Sequence, residues 1–270
     1  MARMEFLKFV RKRSFISELV YTILNVALAV GIFLIVRYTE AVWFAIVLIV
    51  LSKWRVFAVR PRYWWANLQS NMVDFIVSIS VVLHMRTINI QPTIDDGPKL
   101  LLLIGLMLGY IGWLLFIKPR SKRFYVALQA GIAVFMGTAA LFTVSYSWPV
   151  SLVVLGAWLI GYASARHALN SFDDETHPLF LALVWGVGIA EIAWVAYHWA
   201  IAYPLPGLPS LLLPQAAIII TLLSFLGYKV YTSFYHHAKV RMTDVLLPLL
   251  LTISVIVVLL VVFNRVGTAI

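Results

Sequence analysis

Nine stretches of about 20 mostly apolar residues follow one another along this chain and limit how it can fold. A helix of that length crosses a hydrocarbon core about 30 Å thick, and it satisfies its backbone hydrogen bonds internally. The runs are continuous rather than alternating, which favours helices over a β-barrel. The sequence therefore predicts an all-α transmembrane bundle in a single domain. The predicted spans are about 14–36, 41–60, 64–85, 99–117, 124–146, 148–167, 179–202, 210–230 and 244–263.

The composition excludes several function classes. Hydrophobic residues make up 63% of the chain and charged residues 12%, whereas soluble domains carry about 25% charged residues. The absence of cysteine excludes disulfides, thiolate metal sites and cysteine nucleophiles. The sequence contains no phosphate-binding loop, no zinc-protease motif, no serine-hydrolase elbow and no dinucleotide-binding turn. No catalytic residue, metal or cofactor is therefore predicted.

The basic residues predict the orientation of the bundle. Of the 21 Lys and Arg residues, 17 fall at the connections on one side of the predicted spans. Cytoplasmic loops retain such residues, so the amino terminus is predicted to be cytoplasmic. The net charge of +10 then reflects topology and attraction to anionic lipid headgroups. Nucleic-acid binding is not expected, because there is no soluble domain to carry a basic face.

The first apolar stretch is predicted to be a retained helix. It is too long for the apolar part of a signal peptide, and it contains Glu18 and Asn25. The basic residues before it, at 1–13, alternate with apolar ones at helical spacing. This pattern predicts a short interfacial helix.

Charged residues inside the second span are the first candidate site. Only twelve residues separate Glu40 from Lys53, which is about 18 Å of helix. The span crosses only if it continues toward Arg60, and this leaves Lys53 and Arg55 in the inner leaflet. An ionisable group at that depth is costly and usually has a partner or a task.

The third span offers partners for these cations. Its polar residues are spaced four, three and four apart, which puts them on one helical face: Asn67, Asn71, Asp74 and Ser78. We expect a cluster of Glu18, Lys53, Arg55, Asn71 and Asp74, with Asn25 near it. One interpretation is a set of ion pairs that locks helices together. The other is a cytoplasm-facing pocket for an anionic headgroup or a proton-coupled solute, formed by Lys53, Arg55, Arg60, Arg62, Asn67, Asn71 and Asp74.

Glu191 in the seventh span is a second candidate. Trp194 and His198 follow on the same face toward the outer side, so a proton path along this stripe is conceivable. A hydrogen-bonded Glu191 within the packing face is the favoured interpretation.

The cytoplasmic connection after the sixth span holds three acidic residues at 173–175 between His167 and His177. Such ligands suit a divalent cation, but their spacing matches no defined metal motif. Acidic residues also suit the amino-terminal end of the next helix. The sequence favours a solvated capping loop.

Small residues recur every four positions in three spans, as in the Gly105 and Gly109 pair of the fourth. Such residues let helix backbones approach closely in lipid. They predict packing faces within the monomer, with a homodimer interface as the alternative for the GxxxG pair.

The run from Ser52 to Asn71, SKWRVFAVRPRYWWANLQSN, continuing to Asp74, resembles a segment of uncharacterised multi-pass proteins from Saccharibacteria-like candidate-phylum bacteria. The resemblance implies a location in a bacterial inner membrane and carries over no functional residues.

Two function classes remain open. The favoured one is a structural or accessory subunit of a membrane assembly, with partner membrane proteins or a second copy. The alternative is a transporter or lipid-handling protein with a cytoplasm-facing cationic pocket. An integral-membrane enzyme is a weaker third option.

Overall fold

The computed structural model describes residues 2–39, 41–145, 147–199, 201–205 and 207–263, with side chains from Phe15 onward. In these residues it is a bundle of nine α-helices, eight of them long and apolar enough to cross a membrane, which confirms the predicted fold class. The helices are α1 Ala2–Tyr38, α2 Trp43–Ser52, α3 Trp64–Ile90, α4 Asp96–Gly112, α5 Arg123–Val144, α6 Val150–Leu169, α7 Pro178–His198, α8 Gln215–His237 and α9 Met242–Val261. The basic segment predicted as a separate interfacial helix is continuous with α1 from Ala2.

The second predicted span is a helix for only half of its length. At the end of α1, Arg37 bonds Asn89 near the end of α3 and Asp96 at the start of α4. Helices α1 and α3 are therefore parallel, and the connection between them must return across the bundle. In that connection α2 has ten residues, about 15 Å of rise. Two 3-10 turns, Trp54–Val56 and Pro61–Tyr63, complete the return beside α3.

Contacts between helix ends fix the remaining alternation. The Tyr197 hydroxyl, near the end of α7, donates to the carbonyl of Trp148 just before α6. On the opposite side, the His167 ring at the end of α6 bonds Gln129 in α5 at 2.7 Å. Successive helices therefore run in opposite directions. We call the side that holds the ends of α1, α3 and α7 the outer side, as the basic residues predict.

The outer connection between α7 and α8 is a β-hairpin, which the sequence did not indicate. Strands β1 (Ala202–Leu205) and β2 (Leu208–Pro214) pair antiparallel. Gly207 lies in the turn with a φ of 78°, a backbone conformation that glycine adopts without steric cost. The predicted eighth span at 210–230 thus begins at Gln215 instead, and residues up to Pro214 belong to the hairpin.

Small residues mark the packing face of α6 and α7 but not of α4. A Cβ atom on Gly161 of α6 would lie 2.9 Å from Ile189 Cβ of α7, so these helices pack with their backbones close. In contrast, Gly105 and Gly109 of α4 are exposed, and a Cβ atom on either would meet nothing within 4 Å. The prediction that the GxxxG pair packs within the monomer is wrong, because α4 turns its opposite face to α1 and α3.

Candidate functional site: a buried carboxylate between two lysines

Asp74 on α3 holds two lysine side chains at once. Its Oδ2 lies 2.5 Å from Lys53 Nζ and 2.6 Å from Lys118 Nζ. Lys53 comes from the break after α2, and Lys118 follows the π-helical segment Trp113–Ile117 that continues α4. One carboxylate therefore connects α3, the break after α2 and the π-helical continuation of α4.

Neutral groups complete the bonding of this cluster. The Trp113 indole nitrogen donates to the other oxygen of Asp74 at 3.1 Å. Lys53 Nζ also donates to Ser78 Oγ at 3.0 Å, and the Tyr110 hydroxyl donates to the same Oγ at 2.9 Å. We call Lys53, Asp74, Ser78, Tyr110, Trp113 and Lys118 the Asp74 cluster.

Two local irregularities bring the lysines to Asp74. Helix α2 ends at Ser52, and Lys53 caps it by donating its N–H to the Val50 carbonyl at 3.1 Å. A cation at that position also suits the negative end of the helix dipole. In α4 the Lys118 N–H donates to the Trp113 carbonyl, five residues earlier, at 2.9 Å. Such π-helical turns are frequent at functional sites.

The Asp74 cluster is sealed around its carboxylate and carries more positive than negative charge. The side chains of Lys53 and Asp74 are 6% and 8% exposed, whereas that of Lys118 is 33% exposed. Two ammonium groups against one carboxylate leave an excess of one positive charge. Since buried ions require close pairing and hydrogen bonds, Asp74 is the group on which this arrangement depends. The exposed part of Lys118 is where the excess charge can meet water or an anion.

Of the residue pairs predicted to meet at this site, Lys53 and Asp74 do so. Asn71 instead donates to the Asn67 carbonyl of its own helix, and Asn67 donates to the Val56 carbonyl at 3.4 Å. The three arginines of the predicted cationic pocket are exposed and form no ion pair among the described residues: Arg55, Arg60 and Arg62.

Glu18 and Asn25 lie outside the cluster, contrary to expectation. Glu18 is exposed, and its backbone carbonyl accepts from Thr22. Asn25 donates to the Tyr21 carbonyl one turn earlier. The reason is that the α1 residues from Phe15 to Leu24 are exposed, and Tyr21 bonds the Leu114 carbonyl rather than the Asp74 cluster.

Glu191 is exposed, so the interpretation that it forms hydrogen bonds within the packing face of α7 is wrong. The buried face of α7 consists of Ala182, Gly186, Ile189 and Ala193. Trp194 and His198 do meet, with ring centroids 4.9 Å apart. Glu191 forms no hydrogen bond or ion pair with them or with any other side chain that the structure describes.

Sequence reasoning missed Lys118, Trp113 and Tyr110. Lys118 directly follows an apolar run, the position of an ordinary topology-determining cation, so only its reach back to Asp74 distinguishes it. Trp113 and Tyr110 were hidden by their aromatic character, because aromatic residues are abundant throughout these spans. The one available signal was the spacing of 110, 113 and 117–118 on a single helical face.

The acidic connection between α6 and α7 is tied to α8. The Tyr231 hydroxyl donates to Glu175, whose other oxygen accepts the N–H of His177 at 2.8 Å. These two hydrogen bonds hold the pKa of Glu175 below its usual range, and the bond from Tyr231 has the larger effect. Within the described residues no group of three or more His, Asp or Glu side chains is arranged to hold a metal ion.

Comparison with known proteins finds no matching family model, no similar curated protein and no similar solved structure.

Proposed function

We propose that this integral membrane protein is a structural or accessory subunit of a membrane assembly, and that α4 is its contact helix. The observation that carries the proposal is the outward GxxxG pair. Gly105 and Gly109 lie on the exposed face of α4, between the exposed side chains of Leu101 and Leu108. In lipid, helices associate through close backbone approach at such pairs.

The Asp74 cluster supports the same proposal as an internal lock. A subunit that presents a flat helix face needs that helix held at a fixed rotation. Lys118 and Trp113, at the end of α4, are fixed on the buried carboxylate of α3. The lock therefore sets which face α4 turns outward.

Glu191 adds a second reason to expect a partner. Counting from the end of α7, it lies about 10 Å inside the outer boundary, exposed and without a side-chain partner among the described residues. A carboxylate facing hydrocarbon costs roughly 2.5–3.5 kcal/mol on insertion scales. A basic or hydrogen-bonding group on a neighbouring subunit would offset that cost.

The resemblance to multi-pass proteins of candidate-phylum bacteria and the distribution of Lys and Arg support a bacterial inner membrane with the amino terminus in the cytoplasm. In this placement the Lys118 end of α4 is cytoplasmic, and Asp96 is external.

Disulfide cross-linking tests the assembly proposal, because the chain has no cysteine of its own. Leu108→Cys introduces one thiol beside Gly109, and Leu152→Cys introduces one at a similarly exposed position of α6. In native membranes, oxidation is expected to shift Leu108→Cys to the mass of a dimer or of a mixed complex, and to leave Leu152→Cys unshifted. Adding Gly109→Ile should abolish the shift, whereas Gly131→Ile, at another glycine with open space around it, should not.

The transporter or lipid-handling function is the second candidate, and one observation favours it. The excess positive charge of the Asp74 cluster reaches the surface at Lys118, on the same side as the exposed arginines 55, 60 and 62. Anionic lipid would then raise the thermal stability of the wild type more than that of Lys118→Met. Lys122→Met, an exposed lysine of the same connection, is the matched control. Equal gains for wild type and both variants would contradict this function.

A further inference from the structure

A cavity lies between the outer ends of α7 and α8. Its volume is about 740 Å³, within the roughly 300–1,000 Å³ of sites that enclose small ligands. Its walls come from the outer ends of α5, α7, α8 and α9, and from the residues that flank the hairpin. It is separate from the α4 face and from the Asp74 cluster, since neither contributes to its walls.

Helices α7 and α8 form two of the cavity's walls. In their inner halves the helices touch: a Cβ atom on Gly227 of α8 would lie 2.8 Å from the Trp185 ring of α7. Toward the outer side both helices line the cavity, together with Ile201 and Pro214 at the base of the hairpin. On α7 the wall is formed by Ile192, Val195 and Trp199, which share one face at helical spacing.

The cavity lies at the depth of the outer leaflet. Ile192, its deepest residue on α7, is six positions before His198, or about 9 Å below the end of that helix. Ile219 on α8 is about 6 Å below Gln215 by the same count. The surrounding solvent at this depth is the acyl region of the lipids.

The cavity presents carbon rather than free polar groups. Aliphatic and aromatic side chains make up most of its wall, and no charged residue lines it in the part of the chain that the structure describes. The polar side chains Tyr197 and Gln215 are already engaged: Tyr197 donates to the Trp148 carbonyl, and Gln215 donates to the Tyr203 hydroxyl and the Leu259 carbonyl. The hydroxyl of Ser145 is sealed from solvent and has no partner among the described residues. Water is poorly held in such a space, whereas apolar molecules bind there.

We propose that this cavity holds the acyl chain of an outer-leaflet lipid. The acyl chain is the part that is recognised, because the described residues of the wall carry no charge to distinguish one headgroup from another. Binding is therefore the same for anionic and zwitterionic lipids and independent of salt. This separates the site from the basic cytoplasmic face, where headgroup charge would determine binding. The bound chain would fill the cavity and contact the residues at the base of the hairpin.

Photo-crosslinking tests the proposal on the full chain in lipid nanodiscs. The probes are phosphatidylcholine and phosphatidylglycerol that carry a diazirine in the acyl chain, and the labelled peptides are identified by mass spectrometry. We expect both probes to label peptides that contain residues 192–199 and 214–219, with similar yields at 50 and 500 mM salt.

A matched pair of substitutions on α7 completes the test. Val195 lines the cavity and is 52% exposed, whereas Val184 lies outside it on the same helix and is 53% exposed. Val195→Trp should lower labelling of the cavity peptides at least fivefold, and Val184→Trp should leave it unchanged. Leu260→Trp fills the space from α9 and should act like Val195→Trp if the latter expresses poorly. Equal labelling in all variants, labelling by phosphatidylglycerol alone, or labelling spread evenly over the exposed helix faces would overturn the proposal.

Discussion

Replacing Asp74 by asparagine removes the charge on which two lysines depend. The side chain of Lys53 is 6% exposed, and among the described residues no carboxylate other than Asp74 pairs with it. An uncompensated buried charge costs about 3–5 kcal/mol. The variant can also avoid the buried charge by releasing the Lys53 proton. Deprotonating a lysine whose pKa in the unfolded chain is ordinary costs about 4–5 kcal/mol at pH 7, so this route sets a similar upper limit on the loss of stability. We expect Asp74→Asn to lower the free energy of unfolding by about 3–5 kcal/mol.

The order of the variants tests the reasoning. Lys53→Met leaves Asp74 with Lys118 and Trp113, so its cost should be that of a lost charged hydrogen bond, about 1.5–3 kcal/mol. The double variant, Asp74→Asn with Lys53→Met, removes both buried charges and should be more stable than Asp74→Asn alone. Reversible unfolding in bicelles measures all three, and Asp95→Asn in an exposed connection should change stability by about 0.5 kcal/mol at most. A double variant as unstable as the sum of the single ones would refute the lock.

Further predictions concern the Lys118 end of α4, the α6–α7 contact and the connection before α7. Lys118→Met should cost only about 1 kcal/mol, because its side chain is one-third exposed and water screens the pair; unfolding in bicelles measures it. Gly161→Ala should cost about 1–3 kcal/mol through the contact with Ile189, whereas Gly131→Ala has open space and should stabilise by about 0.5–1 kcal/mol. Since the pKa of Glu175 is lowered on folding, its contribution is present above the usual glutamate range and lost as the pH falls through the lowered value. The difference in thermal stability between wild type and Glu175→Gln should therefore be largest near neutral pH and vanish in acid, and a difference constant with pH would contradict this.

The sequence was sufficient for the fold class and for the pairing of Lys53 with Asp74, which are two of the six residues of the Asp74 cluster. Lys53 could be paired with Asp74 because helix geometry gives the depth of each from its own end. Lys118 could not be paired, because its reach back to Asp74 depends on a π-helical segment that carries no distinct sequence signal. The rotation of α4 and α7 was equally hidden: both helices are apolar on every side, so nothing in their hydrophobic pattern shows whether Gly105 or Glu191 faces inward. The hairpin replaced a predicted helix start because four prolines and Gly207 lie among leucines that fit either structure.

The mass of the protein complex in its native membrane tests the proposed subunit role most directly. Polymer extraction preserves the surrounding lipid, and native mass spectrometry then weighs the particle. Wild type should exceed the 30.5 kDa of a single chain by the mass of a second copy or of another polypeptide, and Gly109→Ile should return it to one chain. A wild-type particle that contains one chain of 30.5 kDa and lipid alone would contradict the proposal.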